Sequence, residues 1–305
     1  MVNYIINKKA ELEISSALDY FLLLKPRVMS LAVFTAFVGQ MLALQNTNTH
    51  PLLVFFSLFS IALGAGAAGC INMWYDKDID AVMKRTKNRP IPRGVIKPAE
   101  ALALGIILSI ISVLLLTLSS NLMAGILLAI TIMFYVFVYT IWLKRKTYQN
   151  IVIGGAAGAL PPVIGWLSIS NDFNFFPIIL FLIIFIWTPS HFWALSLYKS
   201  EEYKKANIPM LPIIAGIKTT KYNIFIYALI LLAISLLPFF LGFSGLIYFS
   251  FSILLGFYYI YLCYKLLIEE NSEIEKKISK KIFLYSIFYL FLIFTIILLD
   301  NSIII

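Results

Sequence analysis

VMSLAVFTAFVGQMLALQNTNTHPLLVFFSLFSIALGAGAAGCINMWY, residues 28–75, runs for 48 positions without a Lys, Arg, Asp or Glu. One membrane-spanning helix takes about 20 apolar residues, so this stretch holds two, with a polar turn at Gln45–Pro51 between them. The pattern repeats. Residues 101–143 and 222–264 are charge-free over 43 positions each, and residues 147–198 carry only Asp172. Residues 282–299 give one further apolar run of 18. Turn signals fall near the middle of each long gap, at Ser119–Asn121, Ser168–Asn174 and Gly242–Gly245. The layout predicts an all-α, polytopic membrane protein of nine transmembrane helices.

Composition agrees. Of 305 residues, 61% are hydrophobic and 13% charged, with mean hydropathy +0.92; a soluble domain carries about 25% charged residues. These values exclude a soluble globular enzyme, a nucleic-acid-binding protein and a disordered chain. Cys70 and Cys263 stand alone in apolar runs, which suggests neither a disulfide framework, a zinc site nor a redox pair. Glu11, Glu13 and Asp19 lie where a signal peptide needs an apolar core.

The net charge of +9 reads as topology. In this layout all 24 Lys and Arg residues fall on one side, while the other side has Asp172, Asp300 and His50. That one-sidedness is the positive-inside signature. It places the N-terminus and the long polar loops in the cytoplasm. The chain reads as one integral-membrane domain, residues 1–305, with residues 1–27 as a tail and residues 72–98 and 199–221 as the loops that carry chemistry. Gly64, Gly66, Ala68 and Gly69, and later Gly154, Gly155 and Gly158, would let helices approach closely. Pro161 and Pro162 should kink or end the fifth helix.

The first loop reads NMWYDKDIDAVMKRTKNRPIPRG, Asn72–Gly94. If the second helix continues beyond the membrane edge, Asn72, Asp76 and Asp80 stack on one face at i, i+4 and i+8, with Asp78 pointing away. Such an oxygen stripe suits Mg²⁺, which takes few carboxylates together with substrate phosphates and water. Lys84, Arg85, Lys87, Arg89 and Arg93 follow, able to hold diphosphate oxygens. Carboxylates contribute little to orientation, so their clustering beside the membrane calls for another purpose. A metal-bridged diphosphate next to an apolar bundle implies an isoprenoid diphosphate substrate. Trp74, Tyr135 and Tyr139 offer aromatic faces to a carbocation.

The second loop reads WTPSHFWALSLYKSEEYKKANIPMLP, Trp187–Pro212. On a continuous helix His191, Tyr198 and Glu202 share a face, about 40° wide. His191 follows Pro189 on an otherwise apolar segment and is a candidate functional residue.

At these residues the sequence resembles the intramembrane prenyltransferase superfamily typified by 4-hydroxybenzoate polyprenyltransferase, and within it the protohaem IX farnesyltransferase (haem O synthase) family. Three blocks carry the likeness: Asn72–Gly94, the stretch YTIWLKRKTYQNIVIGGAAGALPPVIGW at Tyr139–Trp166, and His191–Pro212. The resemblance implies nine helices around a cavity open to membrane and cytoplasm, and farnesyl transfer from farnesyl diphosphate to the 2-vinyl group of haem b, with water added and diphosphate released. It implies Mg²⁺ held at Asp76 and Asp80 with Asn72, and Arg85, Arg89, Arg93 and His191 as site residues. Lys84, Lys144, Arg145, Lys199 and Tyr203 join as diphosphate contacts. The superfamily's second aspartate motif is replaced here by Glu201 and Glu202 among Tyr203 and lysines, leaving Glu202 as a candidate second metal ligand. The implied setting is a bacterial inner membrane, with haem A synthase or terminal-oxidase assembly downstream. Two rivals remain: a sibling prenyltransferase with another aromatic or tetrapyrrole acceptor, which should have a fuller second aspartate motif, and a transporter or carrier of an apolar ligand. The absence of Lys, Arg, Asp or Glu in mid-helix argues against an ion pathway.

Overall fold

The structure, a computed structural model, describes residues 15–45, 47–170 and 174–304. The tail residues 1–14, with Glu11 and Glu13, and Asp172 in the third outer turn lie outside the described residues. Among the described residues, nine helices are long and apolar enough to cross a membrane: α1 Pro26–Leu44, α2 Pro51–Tyr75, α3 Pro98–Ser119, α4 Leu122–Leu143, α5 Asn150–Leu167, α6 Phe175–Tyr198, α7 Ile217–Phe240, α8 Leu246–Ile268 and α9 Ser272–Ile304. The chain is a multi-pass membrane protein.

Local chemistry sets the ends. Proline opens α1, α2 and α3, where its missing N–H costs nothing. Asn121 and Asn174 cap α4 and α6 through bonds of 2.9 Å to the backbone N–H of Ala124 and Phe176. Pro161 divides α5 into Asn150–Ala159 and Pro161–Leu167, as its sequence predicts. Pro189 sits within α6 without ending it. The last ten residues of α4, Phe134–Leu143, wind as a π-helix, a wide turn that often marks functional sites.

The helices form a closed ring. Neighbours in sequence pack side by side, and α9 returns against α1, with Phe34 and Phe291 at 4.8 Å between ring centroids. Where α1 meets the second half of α5, backbone lies against backbone. A β-carbon on Gly165 would stand 2.1 Å from the Ala36 carbonyl oxygen, and one on Gly39 would stand 2.2 Å from that of Pro162. Gln40 binds this junction to α2 and α5, its Nε2 donating to Ser57 Oγ at 2.7 Å and Ser168 Oγ at 3.0 Å. Large apolar side chains such as Ile110, Leu118 and Phe257 face outward on α3 and α8, as lipid contact requires. Among the described residues there are also four short helices: Ala17–Leu23, Lys77–Val82, Ser200–Lys205 and Leu211–Ile214.

Candidate active site

A cavity of about 900 Å³ occupies the centre of the ring, lined from α1, α2, α4, α5, α6 and α9. Its body is apolar, with Ile61, Leu128, Ile132, Ile184 and Phe291 in the wall. Its polar end gathers Lys25, Asn72, Asp80, Arg85, Arg89, Lys144 and Tyr203. Partly exposed residues at α1 and α9, such as Val28 and Phe288, also belong to the lining, so the cavity reaches the lipid-facing surface.

The carboxylate stripe forms as the spacing predicts. Although α2 ends at Tyr75, the helical ladder continues: the Asp76 N–H donates to the Asn72 carbonyl at 3.0 Å and the Asp80 N–H to the Asp76 carbonyl at 2.8 Å. Asn72, Asp76 and Asp80 are all buried. Asn72 Nδ2 donates to Asp76 Oδ2 at 2.8 Å and to Thr140 Oγ1 at 3.0 Å. Asp78 turns outward, as expected, into a two-pronged pair with Arg145 at 2.7 and 2.8 Å. Those bonds, against a smaller effect of burial, hold the Asp78 carboxyl below the usual carboxylate range.

The cations divide into two groups. Lys144 pairs with Asp76, and Arg89 Nη1 lies 2.6 Å from Asp80 Oδ2. Arg85 lines the cavity as well. Arg93, Lys84, Arg145 and Lys199 do not line it. Arg93 stands 3.6 Å from Asp19 on the short helix Ala17–Leu23, Lys84 is exposed, and Lys199 pairs with Glu202 at 2.9 Å. Lys25, which no sequence pattern singles out, is buried and donates to Asn72 Oδ1. Its left-handed backbone, φ 51°, turns the chain between the short helix and α1. Burial, then the charges of Arg89 and Lys144, push its ammonium down to about 7.

Three expectations need correction. The shared face of His191, Tyr198 and Glu202 does not exist, because α6 stops at Tyr198 and Glu202 lies on the separate helix Ser200–Lys205. Lys199, with φ −116° and ψ 25°, makes the break. Glu202 does not gather with Asp76 and Asp80: among the described residues no three His, Cys, Asp or Glu side chains form a metal-binding group. Burial raises the Glu202 carboxyl, but the Lys199 ammonium and the Arg85 backbone outweigh it and hold the group below its ordinary value. Trp74 packs into the bundle core instead of lining the cavity. Tyr135 and Tyr139 do line it, and so does His191.

The stripe fits a divalent cation. Oδ1 of Asp76 is buried and accepts no hydrogen bond; an Arg145 nitrogen stands 3.8 Å away. An orphaned carboxylate oxygen in a low-dielectric setting is costly, and a hard cation is a fitting partner. Two carboxylates and a carboxamide supply only part of an octahedral shell, the pattern expected where substrate phosphate and water complete it.

Comparison with known proteins agrees with this architecture. The UbiA prenyltransferase family model matches residues 32–295. A protein of Pelagibacter ubique (strain HTCC1062) named protoheme IX farnesyltransferase is 53% identical over 283 residues, 93% of each chain. One of the same name from Rickettsia canadensis (strain McKiel) is 50% identical, over 95% of this chain and 92% of that relative. Among solved structures, one of digeranylgeranylglyceryl phosphate synthase aligns with TM-score 0.74 at 24% identity, covering 93% of this chain and 97% of that one. A UbiA homolog from Archaeoglobus fulgidus, bound to DMAPP and Mg²⁺, aligns with TM-score 0.67 at 17% identity over 91% and 99%. The chain belongs to the UbiA prenyltransferase family, on the branch of its protoheme IX farnesyltransferases.

Proposed function

We propose that this protein converts haem b to haem o, joining farnesyl from farnesyl diphosphate to the 2-vinyl group of the porphyrin. One cavity carries the reading: a basic, carboxylate-bearing end continuous with an apolar body. Pockets for single small ligands run to roughly 1,000 Å³, and this cavity of about 900 Å³ stands at the upper end of that range. The relatives at about 50% identity, named for this activity, support the acceptor.

In this reading Lys25, Arg85, Arg89 and Lys144 hold the diphosphate oxygens, and the Tyr203 hydroxyl, kept protonated by burial, donates to them. Asp76 and Asp80, with Asn72, hold Mg²⁺, which when bound neutralises charge on the leaving diphosphate. Preorganised cations here favour breaking of the allylic C–O bond, because their attraction grows as charge moves onto the diphosphate. No base is needed for that step. The Tyr135 and Tyr139 rings, 5.3 Å apart on the π-helical turn, present electron-rich faces to the farnesyl cation. The apolar body keeps water away while the terminal vinyl carbon forms the new C–C bond. The cation then passes to the carbon next to the porphyrin, takes water there and releases one proton. The products are haem o and diphosphate.

The one-sided basic loops support a cytoplasmic N-terminus and cytoplasmic site in a bacterial inner membrane. A haem A synthase or an assembling terminal oxidase is the natural consumer of the product. The test is turnover of purified protein in lipid with haem b, farnesyl diphosphate and Mg²⁺, using chromatography of the haem and an EDTA control. Mg²⁺-dependent farnesylated hydroxyethyl haem is expected. Binding of the diphosphate without any change to haem would transfer the reading to a different acceptor.

A further inference from the structure

Ser286 of α9 engages two neighbouring turns of α6 at once. Its carbonyl accepts the Trp187 indole N–H at 2.7 Å, and its Oγ stands 2.6 Å from His191 Nδ1. The His191 ring is stacked between Trp187, with centroids 4.2 Å apart and planes 19° apart, and Phe283, at 4.7 Å and 28°. Position and plane of the imidazole are therefore both set. All three rings belong to the cavity wall.

The contacts of Ser286 bear on the tautomer as well. A serine hydroxyl has one proton, and the Phe283 carbonyl, 2.7 Å from Ser286 Oγ, can take it. The Tyr259 hydroxyl is shared between Ser190 and Ser286. With its own proton on the Phe283 carbonyl, Ser286 Oγ accepts from His191, and the neutral imidazole then carries its proton on Nδ1. Nε2 then carries a bare lone pair and has no hydrogen-bond partner among the described residues.

We infer that Ser286 is a positioning residue: it fixes His191 as the Nδ1–H tautomer and thereby presents Nε2 as the axial ligand of the haem substrate's iron. This rests on the haem reading above and adds the residue that orients the acceptor. A metal-bound histidine commonly gives its other N–H to an acceptor that holds its orientation and raises its basicity. Here that acceptor is a neutral hydroxyl on another helix, so the ligand is a neutral imidazole in an apolar wall.

The experiment is an optical titration of the full chain in lipid nanodiscs with haem b. It is paired with Mg²⁺-dependent binding of farnesyl diphosphate as a check on the fold. Wild type should give a Soret band of histidine-ligated haem. His191→Ala should lose that band, and added imidazole should restore it. Ser286→Ala keeps the main-chain bond to Trp187 and removes only the hydroxyl. Its haem dissociation constant and its KM for haem should rise about tenfold, as loss of an outer-shell partner does, with KM for farnesyl diphosphate unchanged. Ser286→Thr, which retains a hydroxyl, should recover part of the loss.

A wild-type band in His191→Ala, or wild-type haem affinity in Ser286→Ala, overturns the inference. So does a Ser286→Ala protein that loses both substrates together, because the damage is then to the bundle. Product formed by wild type with a spectrum indifferent to His191 sinks this inference and leaves the reaction standing. A wild type that binds farnesyl diphosphate but neither binds nor alters haem sinks the reaction itself, and this inference with it.

Discussion

Lys144, just beyond the last turn of α4, is ion-paired with Asp76, just beyond the last turn of α2. The same carboxylate has an orphaned Oδ1, so ammonium and metal compete for it. Lys144→Gln should therefore tighten Mn²⁺ or Mg²⁺ binding in the absence of substrate while weakening farnesyl diphosphate. Turnover should fall about 10²-fold, the usual effect of removing one preorganised electrostatic group. Mn²⁺ titration by electron paramagnetic resonance, set beside steady-state kinetics, separates the two effects. Unchanged metal affinity would dissociate Lys144 from the metal site.

The three aspartates should behave differently although they lie within five positions. Asp76→Ala and Asp80→Ala should abolish turnover with the fold intact. Asp78→Asn should retain most of it, because Asp78 is 60% exposed and its pair with Arg145 is of a kind worth at most about 1 kcal/mol. The Asp78 carboxyl is depressed by Arg145. The pair's contribution is thus present above the unfolded value of about 3.9 and is lost as pH falls through the lower folded value. Melting temperatures of wild type and Asp78→Asn should differ slightly at pH 7 and converge in strong acid. Near-normal turnover in Asp76→Ala would remove the site assignment.

Two arginines of one motif part company in space. Arg89 reaches Asp80 in the cavity wall, whereas Arg93 reaches Asp19 on the short helix before α1. Arg89→Ala should raise KM for farnesyl diphosphate and lower kcat, together by about 10² or more. Arg93→Ala should do less, and Asp19→Asn should reproduce much of its effect. If the pair is the purpose of Arg93, the double variant will be no worse than the single ones. Additive losses would instead return Arg93 to the diphosphate.

What the sequence discloses follows from how local each determinant is. The spans are legible because hydrocarbon tolerates no charge, so gaps between Lys, Arg, Asp and Glu delimit them. The stripe at Asn72, Asp76 and Asp80 is legible because i, i+4 spacing survives the small break after Tyr75. The face proposed for His191, Tyr198 and Glu202 fails because one residue, Lys199, interrupts the helix. Lys25 and Ser286 are invisible in the same way: their importance comes from Asn72, 47 positions away, and from His191, 95 positions away. The π-turn that aims Tyr135, Tyr139 and Lys144 has no proline or glycine inside it to announce it.

Gly154 and Gly158 lie one turn apart on the cavity face of α5 and should respond oppositely to substitution. A β-carbon at Gly154 would stand 2.2 Å from Cδ2 of Tyr139, so Gly154→Ala must move that ring or the helix. Overpacking of this kind costs roughly 1–3 kcal/mol. The ring displaced is one that faces the proposed cation, so melting temperature and kcat should fall together. At Gly158 a β-carbon would meet nothing within 4 Å. Gly158→Ala should leave turnover near wild type and stabilise α5 by up to about 1 kcal/mol, the propensity difference between the two residues. Gly158→Leu projects a full side chain into the same space, so it should raise KM for the substrates without lowering the melting temperature. Thermal unfolding and KM measured in one lipid composition test all three. A Gly158→Leu protein with unchanged KM for both substrates would show that this stretch of wall is not used by either.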